Sequence, residues 1–212
     1  MCGIVGLFLK DPKLEPKLGA MLTDMLITMT DRGPDSAGIA IYTRPEKGKA
    51  KLTVQSANAA EDFKTLAADL GKAIGATVTM TSKDTHAVLT LPADKIDAAR
   101  AAVREVRPSA RVMSAGEEIE IYKEVGLPKD VARRFDIAHM SGTHGIGHTR
   151  MATESAVTTM GAHPFSTGSD QCLVHNGSLS NHNSVRRVLR EAGMTFETEN
   201  DTEVAAAFIS HK

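Results

Sequence analysis

The apolar run near the start of the chain constrains its fold more than any other feature. Residues 4–9 are almost continuously apolar, which is typical of a strand buried on both faces. Residues 18–29 then carry apolar side chains at helical spacing over about three turns. Turn-forming residues at 31–38 end this helix, and residues 39–42 form a second strand. The sequence therefore predicts a strand, helix, loop, strand unit within an α+β fold.

Residues 45–135 differ in composition from the rest of the chain, because they are rich in Ala, Lys and Glu. Their periodicity predicts an inserted α/β module with the ferredoxin-like order βαββαβ. Such a module could bind a small effector or dock a partner, but no residue in it requires either role, so a structural insertion is favoured. The predicted strands are 51–55, 77–81, 87–91, 111–114 and 119–122, and the predicted helices are 61–74 and 93–106.

After residue 136 the composition again resembles that of the first 44 residues. Residues 142–153 alternate as a strand with Arg150 near its end, where an arginine is expected to face an anion. A short apolar strand is predicted at 172–175, and it runs directly into Asn176 and Gly177, a turn signal. One helix carries Val185, Val188 and Leu189 on a single face, and a last helix opens at residues 200–204 with a good N-cap residue.

Composition excludes several classes of protein. The 212 residues carry a formal net charge of −1, so there is no basic footprint for nucleic acid. No apolar run approaches the roughly 20 residues of a membrane helix, and the first residues lack the basic region of a secretory signal. A cytoplasmic protein is therefore expected. Of the two cysteines, Cys2 adjoins the initiator Met1, an odd place for a structural bridge, and requires another explanation.

Each polar candidate also has a simpler interpretation. The Asn176–Gly177 pair could be a type I′ hairpin turn. Asp201 could be a helix N-cap, and Arg150 a paired surface or interface residue. His144 and His148 are four residues apart, but a Gly-rich strand does not hold them on one helical face, so a metal site is disfavoured. The order in which these residues occur favours a functional interpretation.

Taken together, six ordered motifs resemble the class II glutamine amidotransferase domain, whose members are N-terminal-nucleophile enzymes. The resemblance covers residues 1–42 and 142–209 and implies an αββα sandwich of antiparallel sheets. The amidotransferase core would then comprise residues 1–44 and 136–212, and the module residues 45–135. The motifs are Met1-Cys2-Gly3-Ile4-Val5-Gly6, Arg32-Gly33-Pro34-Asp35-Ser36-Ala37-Gly38, Gly147-His148-Thr149-Arg150, Ala162-His163-Pro164, His175-Asn176-Gly177 and Asp201-Thr202-Glu203.

The resemblance implies that Cys2 becomes the first residue once Met1 is removed. Its α-amine, with an ordinary pKa of about 7.7 to 8, would take the thiol proton and later pass it to departing ammonia. The thiolate would attack the side-chain amide of L-glutamine, and water would then release glutamate from the thioester. The implied oxyanion hole consists of the Asn176 side-chain amide and the Gly177 backbone N–H.

The remaining site assignments concern the amino-acid end of glutamine. Its carboxylate and ammonium require a bidentate cation and an anion, roles that fit Arg150 and Asp201. By resemblance, Thr153 and His163 lie beside the same carboxylate, and Arg32 with its following loop shapes the pocket around Cys2. No metal is expected.

The ammonia acceptor is expected outside this chain, because no synthetase, phosphosugar-binding or P-loop signature occurs. The chain is similar to the amidotransferase subunit of glutamate-synthase-like systems, including N-methylglutamate synthase. Separate synthase subunits of a hetero-oligomer would hold flavin and an iron–sulfur cluster, and this chain would need no cofactor. One departure from the family is Met151, where many members have an aromatic residue. The other is the end at Lys212, because family domains usually continue through further strands. Either a partner covers the sheet edge left exposed, or the chain is a fragment of a longer one.

Two other functions are weighed against the glutaminase. A non-catalytic subunit could bind glutamine or glutamate and regulate a partner, but it would not need a thiol at the mature N-terminus. An N-terminal-nucleophile hydrolase acting on another amide is disfavoured by the pairing of Arg150 with Asp201.

Overall fold

The computed structural model describes residues 1–152 and 156–212, and it has an α+β fold with two antiparallel sheets. The described strands are β1 (Gly3–Phe8), β2 (Ser36–Tyr42), β3 (Lys49–Gln55), β4 (Thr79–Lys83), β5 (His86–Pro92), β6 (Arg111–Gly116), β7 (Ile119–Val125) and β8 (His144–Arg150). The described α-helices are α1 (Leu18–Thr28), α2 (Ala59–Asp62), α3 (Leu66–Ile74), α4 (Ile96–Val106), α5 (Pro128–Arg134), α6 (His182–Glu191) and α7 (Asp201–His211). Short 3-10 helices occupy Pro12–Lys17, Thr30–Arg32, Ala93–Lys95 and Ile137–His139.

The first sheet has the order β1-β8-β2-β7, and α1 and α5 cover one of its faces. Leu18, Leu22 and Leu26 recur every four residues on α1, so they lie on one side of the helix, where they are almost completely buried. They pack against Val5 of β1 and Ile39 of β2 in one apolar cluster. This packing confirms the predicted strand, helix, loop, strand unit.

Strand β1 differs from its prediction, because only one of its faces is covered. Among the described residues it pairs with β8 alone, which makes it an edge strand of this sheet. Val5 is buried on the side of α1, whereas Ile4 and Phe8 point away and are exposed. The exposed positions Ile4 and Phe8 are also apolar. The sequence therefore lacks the alternation of polar and apolar residues that would indicate a strand with one exposed face.

The second sheet has the order β4-β5-β3-β6, and α3 and α4 pack on it through a separate apolar cluster. The predicted long helix at 61–74 is two helices, α2 and α3, and the other predicted elements between residues 49 and 116 are present with shifted ends. The strand predicted at 119–122 is present, but the prediction assigned it to the inserted module and not to the first sheet. This strand, β7, pairs with β2 in the first sheet along its whole length.

Residues 156–181 cover part of the opposite face of the first sheet. The predicted strand at 172–175 is reduced to an isolated bridge between Leu173 and Phe165. The carboxylate of Asp170 accepts hydrogen bonds from the backbone N–H groups of residues 117–119, at 2.8, 2.8 and 3.1 Å. This contact ties the 156–181 segment to the turn between β6 and β7, where the two sheets meet.

Candidate active site

A cleft of about 770 Å³ opens where the start of β1 and the end of β8 meet the N-terminus of α7. Its lining comes from residues 1–2, 150–151, 156–163, 175–182 and 197–202. Six of the eight predicted site residues line this cleft. They are Cys2, Arg150, His163, Asn176, Gly177 and Asp201.

Cys2 lies beside the Asn176–Gly177 pair, although 174 residues separate Cys2 from Asn176 in the chain. The Asn176 Nδ2 atom donates a hydrogen bond of 3.1 Å to the backbone carbonyl of Cys2. The Cys2 thiol is half-buried, with its Sγ atom 3.9 Å from the carbonyl oxygen of Met151 at the end of β8. A thiol, a side-chain amide and an exposed glycine therefore share one wall of the cleft.

The Asn176–Gly177 pair is not a type I′ hairpin turn. That turn requires positive φ at both central residues, and neither residue has a positive φ. No named strand flanks the pair within the described part of the chain either. The simpler interpretation of this dipeptide is therefore wrong.

Arg150 is the last residue of β8 and is buried beneath the cleft wall rather than exposed on the surface. Its Nη1 atom donates to the carbonyl oxygen of Ala156 at 3.3 Å. Its own backbone carbonyl accepts from the Asp35 N–H at 3.1 Å. The backbone of Arg150 is thus held by the loop before β2, and its guanidinium contacts the segment that follows β8.

The loop after Arg32, but not the Arg32 side chain, approaches the cleft. Arg32 lies in an exposed 3-10 helix and is not among the lining residues. A Cβ at Gly33 would overlap the backbone of Thr149, so only glycine allows this close approach to β8. Asp35 then accepts a hydrogen bond of 2.7 Å from the Ala152 N–H, which holds the chain just beyond Arg150.

Asp201 is the first residue of α7, and its neighbour Asn200 is the N-cap, with its side chain accepting from the Thr202 N–H at 2.8 Å. The N-cap interpretation of Asp201 is therefore wrong. The Asp201 carboxylate instead accepts from the Leu179 N–H at 2.8 Å and lies 3.9 Å from Nδ1 of His175. Its position at a helix N-terminus favours the negative charge.

His163 connects the cleft wall to α7, because its Nε2 atom is 2.9 Å from the Thr202 hydroxyl. The ring of His148 stacks on it with centroids 4.1 Å apart, and His148 Nε2 in turn is 3.1 Å from the His175 carbonyl oxygen. Burial lowers the pKa of His163 to about 2 and that of His148 to about 4. Both rings are therefore neutral at pH 7 and can act as hydrogen-bonding groups without adding charge.

One predicted site residue cannot be placed, and three residues of the site were given no individual role by the sequence analysis. Thr153 lies outside the described residues. Thr202, His175 and Asp35 belong to the motifs that carry the resemblance, but no role was assigned to them. Their functions depend on contacts with distant segments, which local patterns do not show.

The part of the chain that the structure describes holds neither a metal-binding cluster nor a membrane-spanning helix. No group of three or more His, Cys, Asp or Glu side chains there is arranged to hold a metal ion. His144 stacks on Tyr42 instead, with ring centroids 4.1 Å apart. None of the helices in residues 1–152 and 156–212 is long and apolar enough to span a bilayer.

Comparison with known proteins agrees with the geometry of the cleft. A protein-family model described as a glutamine amidotransferase domain matches residues 135–212 of this chain. The chain is 64% identical over 210 residues to the glutamine amidotransferase-like protein GlxB of Rhizobium meliloti (strain 1021), covering 99% of this chain and 69% of that protein.

Two further relatives extend the comparison. A protein of Methanothermobacter thermautotrophicus named "Putative glutamine amidotransferase" is 32% identical over 222 residues, covering 100% of this chain and 72% of that protein. A glutamine–fructose-6-phosphate aminotransferase (isomerizing) of Aliivibrio fischeri is 40% identical over 98 residues, covering 46% of this chain and 16% of that enzyme. From the cleft and from these relatives together, the chain belongs to the glutamine amidotransferase family.

Proposed function

We propose that this chain is a class II glutamine amidotransferase that hydrolyses the side-chain amide of L-glutamine, with Cys2 as its N-terminal nucleophile. The observation that carries the proposal is the hydrogen bond from Asn176 to the carbonyl of Cys2, in a cleft that Arg150 and Asp201 also line. A thiol, oxyanion donors, a cation and an anion are the groups that a glutaminase of this type requires.

The nucleophile needs a base, and the proposal assigns that role to the α-amine of Cys2 itself. The amine becomes free when Met1 is removed, and Met1 is accessible because it is 75% exposed. The free amine takes the proton of the thiol, and the thiolate then attacks the amide carbon of glutamine. The C–N bond breaks as the amine returns the proton to departing ammonia. Water hydrolyses the resulting thioester to glutamate.

Negative charge develops on the amide oxygen of glutamine during the attack. Asn176 Nδ2 and the Gly177 N–H are the proposed donors to this oxygen, and both residues line the cleft next to Cys2. Such donors, fixed in place before the reaction, contribute about 3 to 4 kcal/mol each to transition-state stabilisation.

The amino-acid end of glutamine is assigned to the other side of the cleft. The planar guanidinium of Arg150 suits a carboxylate, and the Asp201 carboxylate suits an ammonium. His163 remains neutral and, by resemblance, lies with Thr153 beside the substrate carboxylate. The role predicted for Arg32 is reduced to that of its loop, which supports β8 through Asp35.

We also propose the finer architecture of the family for this chain. The first sheet with α1 would form half of an αββα sandwich, assembled from residues 1–44 and 136–212. Residues 49–116 would be a ferredoxin-like insertion, supported by the strand order β4-β5-β3-β6 and by two helices packed on that sheet. Strand β7 then belongs to the core, so the inserted module is shorter than the predicted 45–135.

Ammonia would pass to synthase subunits of a glutamate-synthase-like complex, of which N-methylglutamate synthase is one kind. In this proposal the flavin and iron–sulfur cluster belong to the partner, and the complex is cytoplasmic. Co-purification of the native chain from its own cells would identify such a subunit. Recovery of the chain as a monomer, without a synthase-like subunit, would contradict this part of the proposal.

The glutaminase itself is tested by intact mass before and after incubation with 6-diazo-5-oxo-norleucine, an electrophilic analogue of glutamine. We expect loss of Met1 and one adduct on the wild-type chain, and no adduct on Cys2→Ala. The matched control is Cys172→Ala, which removes the other thiol and should still be labelled. Burial raises the pKa of the Cys172 thiol, so this group stays protonated and unreactive.

A retained Met1, or a folded wild-type chain that forms no adduct, would contradict the catalytic proposal. The non-catalytic alternative, a regulatory subunit that binds glutamine or glutamate, would then be favoured. Isothermal titration with both amino acids would test that alternative directly.

A further inference from the structure

Lys123 of β7 is an ionisable residue in the interior of the protein, only 4% exposed. Its Nζ atom donates hydrogen bonds to three backbone carbonyls of one short segment. The acceptors are Met160 at 3.2 Å, Ala162 at 2.7 Å and Pro164 at 3.1 Å. A protonated lysine has three N–H donors, so this segment satisfies all of them.

The sheet beneath the segment is shaped to receive it. Gly38 of β2 is the register partner of Lys123 on β7, so the two lie side by side on the face opposite α1. A Cβ at Gly38 would overlap the carbonyl oxygen of His163. The glycine therefore allows the segment to rest on the sheet, within reach of the lysine. The Phe165 ring lies 4.4 Å from Nζ and adds a cation–π contact.

The segment held by Lys123 is also a wall of the cleft. Met160, Gly161 and His163 line it, between the carbonyls that accept from the lysine. The hydrogen bond between His163 and Thr202, the residue after Asp201, connects this segment to the N-terminus of α7. A continuous chain of contacts thus leads from Lys123 to the proposed ammonium-binding carboxylate, and no part of it touches Cys2.

The lysine is costly to bury, which is evidence that its contacts matter. Desolvation lowers its pKa to about 7, and the charge of the buried Glu203 opposes that effect. An apolar side chain at this position would avoid the desolvation cost but would remove the donor from three carbonyls, two of them in buried contacts. The arrangement therefore suits a residue that holds a backbone segment in one position.

We propose that Lys123 is a positioning residue for glutamine, which fixes the 160–164 segment and thereby the His163–Thr202–Asp201 side of the cleft. The inference rests on the proposed glutaminase function. It separates two properties of the site: recognition of the amino-acid end depends on Lys123, and the reactivity of the Cys2 thiol does not.

The experiment compares two alkylation rates of Cys2 in the same protein. The reagent 6-diazo-5-oxo-norleucine must be recognised as glutamine, whereas iodoacetamide reports only on the thiol. In Lys123→Met we expect the rate constant with the glutamine analogue to fall about 10- to 100-fold, as for a small displacement of positioning groups. The rate constant with iodoacetamide should remain unchanged, and KM for glutamine should rise more than kcat falls.

The matched control is Lys51→Met, which also removes a largely buried lysine with polar partners. Lys51 bonds to Thr43 and Glu120, neither of which lines the cleft, so both rate constants should match the wild type. If Lys123→Met does not fold, Lys123→Gln replaces it, because its amide still donates to the segment. For this variant, the rate constant with the glutamine analogue divided by that with iodoacetamide should lie below the wild-type value.

The outcomes separate the two proposals. A wild-type chain that does not react with the glutamine analogue contradicts the glutaminase, and the inference falls with it. A reactive wild type whose rate ratio is unchanged by the Lys123 substitution overturns the positioning role alone. Equal loss of both rate constants in a folded variant also overturns it, because the effect would then be on the thiol.

Discussion

The side-chain amide of Asn176 has two N–H donors, and one of them donates to the Cys2 carbonyl. Among the described residues the second has no hydrogen-bond partner, and it is the donor that the proposal assigns to the developing oxyanion. The same contact would hold the amide in place before glutamine binds. One side chain can thus both attach the N-terminal residue and stabilise the transition state.

Asn176→Ala should lower kcat about 10²- to 10³-fold and change KM little, since the donor acts mainly on charge that develops in the transition state. Steady-state glutaminase assays measure both constants. Asn181→Ala is the control, because Asn181 is exposed nearby and makes no side-chain capping bond. A kcat within about threefold of wild type would remove Asn176 from the oxyanion hole.

Helix α7 shows how an element positions a site residue. Asn200 caps its N-terminus, and the buried Glu203 accepts from the N–H groups of Glu197 at 2.7 Å and Thr198 at 2.8 Å. These bonds satisfy three backbone donors at and before the first turn. The helix therefore begins at a fixed point, and its first residue, Asp201, lines the cleft.

Asn200→Ala should reduce the free energy of unfolding by about 1 kcal/mol, the usual cost of losing an N-cap acceptor. Urea denaturation followed by circular dichroism measures this change. Asn58→Ala is a matched control, because Asn58 precedes α2 without a side-chain capping bond. Equal destabilisation by both substitutions would show that the capping bond of Asn200 contributes nothing specific.

At the scale of the whole molecule, three buried histidines connect stability to pH. Burial lowers the pKa of His86 to about 3, of His148 to about 4 and of His163 to about 2. In the unfolded chain these rings titrate near 6.5. Between about pH 4 and 6.5 the unfolded state thus binds more protons, and the folded state loses stability as the pH falls.

The free energy of unfolding should therefore decline from pH 6.5 towards pH 4, by about 1.4 kcal/mol per pH unit for each of these histidines. Urea titrations at a series of pH values measure the slope. His86→Gln should make the slope shallower by one such contribution. His211→Gln is the control and should leave the slope unchanged, because that side chain is exposed in the folded chain. A flat profile between pH 6.5 and 4.5 would contradict the neutral burial of these rings.

Local patterns identified most of the elements, and six of the eight predicted site residues line the cleft. The stripe on α1 and the opening of α7 were visible because helical periodicity and capping depend on residues close in sequence. The exposed face of β1 and the absence of a strand at 172–175 were missed. Apolar residues on an exposed face look like core residues, and a short apolar stretch becomes a strand only when a partner pairs with it.

The sequence by itself determined the order of helices and strands and the identity of the motif residues, because both depend on neighbouring residues. Only the tertiary structure decided that β7 joins the first sheet and that Lys123 reaches the carbonyls of residues 160–164. It also decided that Asn176 meets Cys2. The physical reason is that strand pairing and buried polar contacts are made through backbone groups common to every residue, so distant partners are selected only when the whole chain is packed.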